Sequence, residues 1–224
     1  MCRSKGSKAT KNRMLKVVSA TPSPFARKVR VALIEKAVPF ELVTDVPWND
    51  DTVVSDFNPL EKLPILITER DGVVCDSTLI IDYLETAYPQ PALLPRDPTL
   101  RLAAKSIEVL QNGICDAVVL TFFERQRAKD AQSAQWLARQ RRKIERGTAA
   151  LASQLVDRDY FVGGTFTLAD IAAVCALGYL GLRLPDFEWR PLHPALAAWF
   201  DRMSERESFR STLPAANVIN ARMD

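Results

Sequence analysis

The chain is poor in the residues that build metal sites and disulfide frameworks. Its 224 residues include one histidine, His193, and four cysteines, Cys2, Cys75, Cys115 and Cys175. No two cysteines stand at CxxC spacing, which excludes the usual zinc patterns, and no metal is expected. Scattered, unpaired thiols fit a reducing compartment, so a cytoplasmic location is expected. Long apolar runs are also missing. None reaches the roughly 18 residues that a membrane span needs, and no membrane partner is expected. The longest, residues 171–182, reads as a buried helix. Acids are missing from the first sixteen residues, which carry Arg3, Lys5, Lys8, Lys11, Arg13 and Lys16. This tail accounts for the positive balance: the formal charge is +3, yet the rest of the chain holds 24 basic against 27 acidic side chains. A basic groove is therefore not expected in the body, and nucleic acid is not an expected partner. Residues 1–13 lack the apolar core of a signal peptide and read as a disordered basic extension.

The remaining composition, 47% hydrophobic and 25% charged, is that of a globular protein large enough for a full core. The apolar run 14–18 reads as a strand. Ser19-Ala-Thr-Pro-Ser-Pro-Phe then leads into a helical pattern through Phe25, Val29, Ala32 and Leu33. Ser23 stands at the N-cap position and Pro24 at the first helical one. Two readings of Ser23 are open here: a plain cap, or a hydroxyl placed beside the positive end of a helix to stabilise an anion. Residues 38–44 read as a second strand with Phe40 and Leu42 on one face, completing a βαβ unit. Residues 45–58 are polar and irregular, with Trp48 and a short helix expected over 51–57.

Pro64 opens a strand at residues 64–67, where a proline is tolerated. Arg70-Asp71-Gly72 turns the chain and residues 73–75 return as a hairpin. A helix follows through Leu84, with Ser77 as its expected N-cap. Four prolines between Tyr88 and Pro98 mark a linker, 89–98, between domains over 14–88 and 99–224. Everything after the linker reads as helical. Ile107, Leu110, Ile114 and Ala117 form one apolar stripe. Trp136, Leu137, Ile144, Leu151 and Leu155 form a second, whose arginine-rich opposite face reads as solvated. Thr167 and Asp170 have capping-box spacing, with Phe166 as a staple onto Ile171. A last amphipathic helix is expected near 194–205.

Four of these segments resemble, in order and spacing, the soluble glutathione transferases of the serine type, most nearly the tau class and related bacterial enzymes. They are Ser23-Pro-Phe-Ala-Arg-Lys-Val-Arg30, Asn58-Pro-Leu-Glu-Lys-Leu-Pro-Ile-Leu66, Asp76-Ser77 with the helix after it, and Phe166-Thr-Leu-Ala-Asp-Ile171. The resemblance spans about residues 14–212. It implies a thioredoxin-like N-terminal α/β domain followed by an all-α helical-bundle domain. Glutathione is then the co-substrate, a small hydrophobic electrophile the second substrate, and a homodimer the expected assembly. It also implies roles: Ser23 as the catalytic hydroxyl, Phe25 near the thiol, and Lys62 meeting a glutathione carboxylate. Leu63 would pair its backbone with the cysteinyl unit, its bond to Pro64 being cis in the family. Asp76 and Ser77 would grip the γ-glutamyl end.

The physical reading agrees with that role. A free thiol titrates near 8.5, so lowering its pKa by about two units takes roughly 2.7 kcal/mol of thiolate stabilisation. A hydroxyl donor at a helix N-terminus is a chemically suitable source. Thr21 and Ser19 are the alternative hydroxyls. No tyrosine lies near residues 19–23, and position 23 is not cysteine, which disfavours tyrosine-dependent and thiol-exchange chemistry. Cys75 reads as a buried small hydrophobe, and Phe122 and Phe123 as candidates for the electrophile site. Three functions are compatible with the pattern: conjugation, glutathione-dependent peroxidase or isomerase activity, and a non-enzymatic ligand-binding or protein-interaction module on the same fold.

Overall fold

The computed structural model describes residues 14–68, 71–156 and 158–219. The basic extension 1–13, Cys2 and Arg70 lie outside the described residues. The N-terminal part is a four-stranded mixed sheet in the order β2-β1-β3-β4, formed by β1 (Leu15–Ser19), β2 (Phe40–Thr44), β3 (Ile65–Thr68) and β4 (Gly72–Cys75). β1 pairs in parallel with β2 and antiparallel with β3, and β3 pairs antiparallel with β4. Val17 and Val18 of β1 are both buried, as expected of a central strand covered on two faces. β2 departs from the expected pattern: Leu42 is 46% exposed, because β2 is the sheet's edge and its outer half is uncovered. The helix expected over 51–57 is a single 3-10 turn, Val54–Asp56.

α1 (Pro24–Glu35) packs between the sheet and the helical part, and even Arg27, Lys28 and Arg30 are buried in it. These three cations were not expected inside. Lys28 ion-pairs with Glu108 at 2.7 Å, both side chains 1% exposed. Arg27 donates to the Phe209 carbonyl at 3.1 Å. Its guanidinium also fills the space beside Gly178, where a Cβ would come within 2.7 Å. A buried charge needs such partners, and removing one typically costs about 3–5 kcal/mol.

α2 (Ser77–Ala87) follows β4. After an irregular stretch come α3 (Pro98–Gln126), α4 (Ala134–Leu155), α5 (Leu168–Arg183), α6 (Trp189–Leu192), α7 (Pro194–Ser204) and α8 (Glu207–Arg210). α3 is long and apolar enough in composition to cross a membrane, but its apolar side is spent on the protein core, where Ala104, Ile107, Ile114 and Val118 are buried. α5 is the most enclosed helix, buried almost throughout from Leu168 to Leu180. Its capping box forms: Asp170 accepts from the Thr167 N–H at 2.8 Å, and Thr167 Oγ1 accepts from the Ala169 N–H at 3.3 Å. The Phe166 ring packs edge-on against Tyr160 and Phe209. On α4, Ile144, Leu151 and Leu155 are buried as expected, but Trp136 is 38% exposed and lies off the stripe, in the helix's first turn. Arg139, Arg141, Arg142 and Arg146 are exposed, as expected of a solvated face.

Candidate active site

Sheet register brings the sequence-distant site residues together. Val18 of β1 stands opposite Ile65 of β3, and Ile65 opposite Cys75 of β4. The end of β1, the start of β3 and the end of β4 therefore share one edge of the sheet. The segments leading off there are 20–23, 58–64 and 76–77. Ser19 pairs with Thr44, so the loop carrying Trp48 leaves from the same end.

Ser23 is the N-cap of α1: its Oγ accepts from the Ala26 N–H at 3.2 Å. The cap uses an oxygen lone pair only. Among the described residues no hydrogen bond takes up the hydroxyl hydrogen. Ser23 is half-buried, and so is Phe25 two residues on. Ser19 is a different case. It is 2% exposed and donates to the Ala20 carbonyl at 3.3 Å, so it has turned into the fold. Thr21 is half-buried.

The loop before β3 is shaped by Asn58, whose role the sequence did not announce. Its side chain donates to the Lys62 carbonyl at 2.8 Å and accepts from the Leu60 N–H at 3.0 Å. The Asn58 carbonyl takes the Glu61 N–H at 2.9 Å, and Glu61 itself has φ 52°. These bonds present Lys62, which is exposed, and Leu63, which is half-buried. The Leu63–Pro64 bond is cis. Leu63's own N–H and C=O enter no hydrogen bond among the described residues, and so form a free strand-like edge.

At the third segment the structure corrects two expectations. The N-cap of α2 is Asp76 rather than Ser77: Asp76 Oδ1 accepts from the Thr78 N–H at 2.7 Å. Asp76 takes the short Asx-type bond because its backbone sits at φ 76°, ψ 129°. A positive φ is strained for a non-glycine residue and is found mostly where surroundings or function demand it. Ser77 becomes the first helical residue, its side chain packed in and 3% exposed. Cys75 is half-buried rather than buried, close to the Phe57 carbonyl at 3.7 Å; partial burial raises its thiol pKa.

A group from the helical part joins this end. Asp116 of α3 lies close enough to Lys62, Lys143 and Asp76 to feel their charges. Burial pushes its carboxyl pKa up, Lys62 and Lys143 oppose the shift, and Asp76 adds to it. Helical spacing alone did not single it out; what marks it is the sheet end that α3 crosses. Further along α3, Phe123 meets Trp48 with ring centroids 4.1 Å apart, and Phe122 meets Phe123 edge-on at 5.2 Å. The α/β part and the helical part thus meet at the sheet end that carries Ser23 and Phe25, through the rings of Trp48 and Phe123.

A thioredoxin-like sheet joined to a helical domain, with a capped, half-open helix start beside a cis-proline loop, defines a class of thiol-handling proteins. The chain belongs to the glutathione S-transferase family: the family's N-terminal domain matches residues 18–92 and its C-terminal domain residues 134–202. The chain is 40% identical over 200 residues to the uncharacterized GST-like protein YibF of Escherichia coli, covering 89% of this chain and 98% of that one. It is 30% identical over 203 residues to glutathione S-transferase U25 of Arabidopsis thaliana, covering 88% of each. A crystal structure of a glutathione S-transferase from Methylobacterium radiotolerans, in complex with glutathione sulfonate, superposes with a TM-score of 0.91 at 55% identity, covering 94% of this chain and 99% of that one.

Proposed function

We propose that the protein binds glutathione at this sheet end, activates its thiol as the thiolate and conjugates it to a small hydrophobic electrophile. The observation that carries the reading is the convergence of three differently built segments on one edge: a hydroxyl with a spare hydrogen, a free backbone edge and an acid–serine helix start. Each suits one part of the tripeptide. Ser23 donates its hydrogen to the sulfur while the N–H groups of the first turn of α1 add positive potential. Leu63 pairs with the cysteinyl backbone as an added strand does. Lys62 meets a terminal carboxylate, Phe25 flanks the thiol, and Asp76 with Ser77 holds the γ-glutamyl amine and carboxylate. The bound glutathione sulfonate of the Methylobacterium radiotolerans relative supports the choice of ligand.

The chemistry asked of these residues is modest. The thiol releases its proton to solvent, the sulfur pair forms a C–S bond, and the electrophile either expels a leaving group with its electron pair or takes up a proton at the adjacent carbon. Ser23 acts throughout as a hydrogen-bond donor and forms no covalent bond. Residues 14–88 serve as the glutathione-binding domain and 99–224 as the helical domain, with 89–98 as linker. The reading includes a homodimer, supported by the exposed stripe Leu102, Val109 and Leu120 on α3. It also includes a reducing cytosol, supported by the thiols Cys75, Cys115 and Cys175.

Calorimetric titration with glutathione, paired with an assay against 1-chloro-2,4-dinitrobenzene, tests the proposal. Binding with turnover supports it. Binding without turnover of any electrophile would reduce it to ligand carriage, and no binding at millimolar glutathione would turn the reading to an interaction module.

A further inference from the structure

Three contacts set the relative heights of α1, α3 and α5. Lys28 of α1 reaches Glu108 at 2.7 Å and Asn112 at 3.3 Å on α3. Arg27 of α1 fills the space beside Gly178 of α5. Arg183 of α5 lies over Phe122 of α3, 4.0 Å from the ring centroid. α3 and α5 therefore run side by side in the same direction; α3 runs towards the sheet end, where its Asp116 feels Lys62 and Asp76 and its Phe123 meets Trp48, whereas α1 starts there at Ser23, so the two are antiparallel to α1. One helical turn advances about 5.4 Å. Moving one turn from Lys28 towards Ser23 along α1 corresponds to moving one turn from Asn112 to Asp116 along α3, and from Gly178 to the Gly181–Leu182 level along α5. Ser23 is thus level with these positions. Phe122, Phe123 and Arg183 come next, on the side from which an electrophile reaches the sulfur.

Arg183 is unusual at that place. It is half-buried, and its Nε is buried without a hydrogen-bond partner. No Asp or Glu among the described residues lies within ion-pairing distance of it. The nearest acids in sequence and along α3 are engaged elsewhere. Asp186 is held by Arg125 through two bonds of 2.9 and 3.0 Å. Glu124 accepts from Ser133 and Arg127. Arg183 is instead flanked by rings, Phe122 on one side and Tyr179 at 5.8 Å. Those rings fix the guanidinium plane without neutralising it. Trp48, 48% exposed, and Phe123 supply flat apolar surface beside it.

We propose that Arg183 makes the site selective for aromatic electrophiles that carry a carboxylate, the ring lying against Trp48 and Phe123 and the carboxylate meeting the guanidinium. This inference rests on the conjugation reading and names its substrate class. A planar cation hydrogen-bonded to Tyr179 but with an unpartnered Nε–H can still donate to a carboxylate, and it discriminates against an uncharged isostere because the ester offers no charge to the buried donor.

The test uses a matched pair, 4-chloro-3,5-dinitrobenzoate and its methyl ester. In each, the glutathione sulfur forms the new C–S bond as chloride departs with its electron pair. The wild type is expected to favour the acid, chiefly through a lower KM. Arg183→Gln should lose about tenfold more kcat/KM for the acid than for the ester, in line with one charge-assisted hydrogen bond. Arg183→Lys should recover part of that difference. Equal losses for both substrates in Arg183→Gln, or a wild-type preference for the ester, would overturn the proposal. Calorimetry with the two glutathione conjugates gives a readout independent of turnover. Tighter binding of the acid conjugate, dependent on Arg183, upholds the selectivity even if conjugation itself fails. Equal affinities, or no binding of either conjugate, refute it.

Discussion

Five helices among the described residues begin on a capping polar side chain, and three of them, α1, α2 and α5, differ in how much solvent reaches the cap. At α5 the cap is sealed. Thr167 is 3% exposed and Asp170 is fully buried, and the Asp170 carboxylate accepts from the Phe161 N–H at 3.0 Å, the Thr167 N–H at 2.8 Å and the Thr167 hydroxyl at 3.1 Å. Every polar group there is answered within the protein. At α1 and α2 the caps are open. Ser23 makes one bond and retains its hydrogen; Asp76 makes one bond from an exposed side chain on a strained backbone. All three starts share the sequence signal of a small polar residue before an apolar helix. Burial marks the cap that holds the fold, but exposure alone does not mark a ligand cap, since Asp97 of α3 and Ser133 of α4 are exposed caps too; what sets Ser23 and Asp76 apart is the sheet end they share.

The largest effect should come from the sealed cap. Asp170→Ala removes three hydrogen bonds and leaves the buried Phe161 and Thr167 donors unanswered. With each such group worth about 1–3 kcal/mol, an unfolding free-energy loss of roughly 3 kcal/mol or more is expected in a denaturant titration. The pH dependence follows from its environment. Burial holds the Asp170 carboxyl pKa above the usual carboxylate range despite its hydrogen bonds. A raised folded pKa means that its protonated form favours the folded state. The stability tied to this group is full below about pH 4 and falls as pH rises through the folded pKa, a slope that Asp170→Asn should abolish.

The open caps should behave in the opposite way. Ser23→Ala is expected to lose only about 1 kcal/mol of stability but roughly tenfold to a thousandfold in turnover, with little change in glutathione affinity. A turnover equal to wild type would place the catalytic hydroxyl elsewhere. Asp76→Gly sharpens the contrast further. Glycine relieves the positive φ while it removes the carboxylate, so the melting temperature should hold nearly steady as the glutathione dissociation constant rises about tenfold or more. An unchanged dissociation constant would remove Asp76 from the site. The smallest effect belongs to Thr21→Val, expected to leave turnover within about twofold, because Thr21 caps no helix.

Much of this contrast was legible in the residue order, because caps, turns and strand starts are local. Ser23-Pro24, Thr167 with Asp170, and the turn at Gly72 all fall where local chemistry places them. What stayed hidden depends on distant partners. The burial of Arg27 and Lys28 has no local signal; it follows from Glu108, the Phe209 carbonyl and the space at Gly178, which receive the two charged groups. Asn58 carried no role in the residue order, and only the path of residues 58–64 shows its side chain donating to the Lys62 carbonyl. The shift of the α2 cap from Ser77 to Asp76 follows from a backbone angle that propensity does not encode. Asp116 and Trp48 come together through the packing of α3 against the sheet end, a long-range arrangement with no local signature.

The central claim is that the open cap at Ser23 exists to stabilise a thiolate. The most direct measurement is the ultraviolet thiolate absorbance of protein-bound glutathione against pH, in the wild type and in Ser23→Ala. The account predicts a bound-thiol pKa about two units below the free value near 8.5 in the wild type, and a return most of the way to that value in the variant. The same pKa in both proteins, or an unshifted pKa in the wild type, would contradict it.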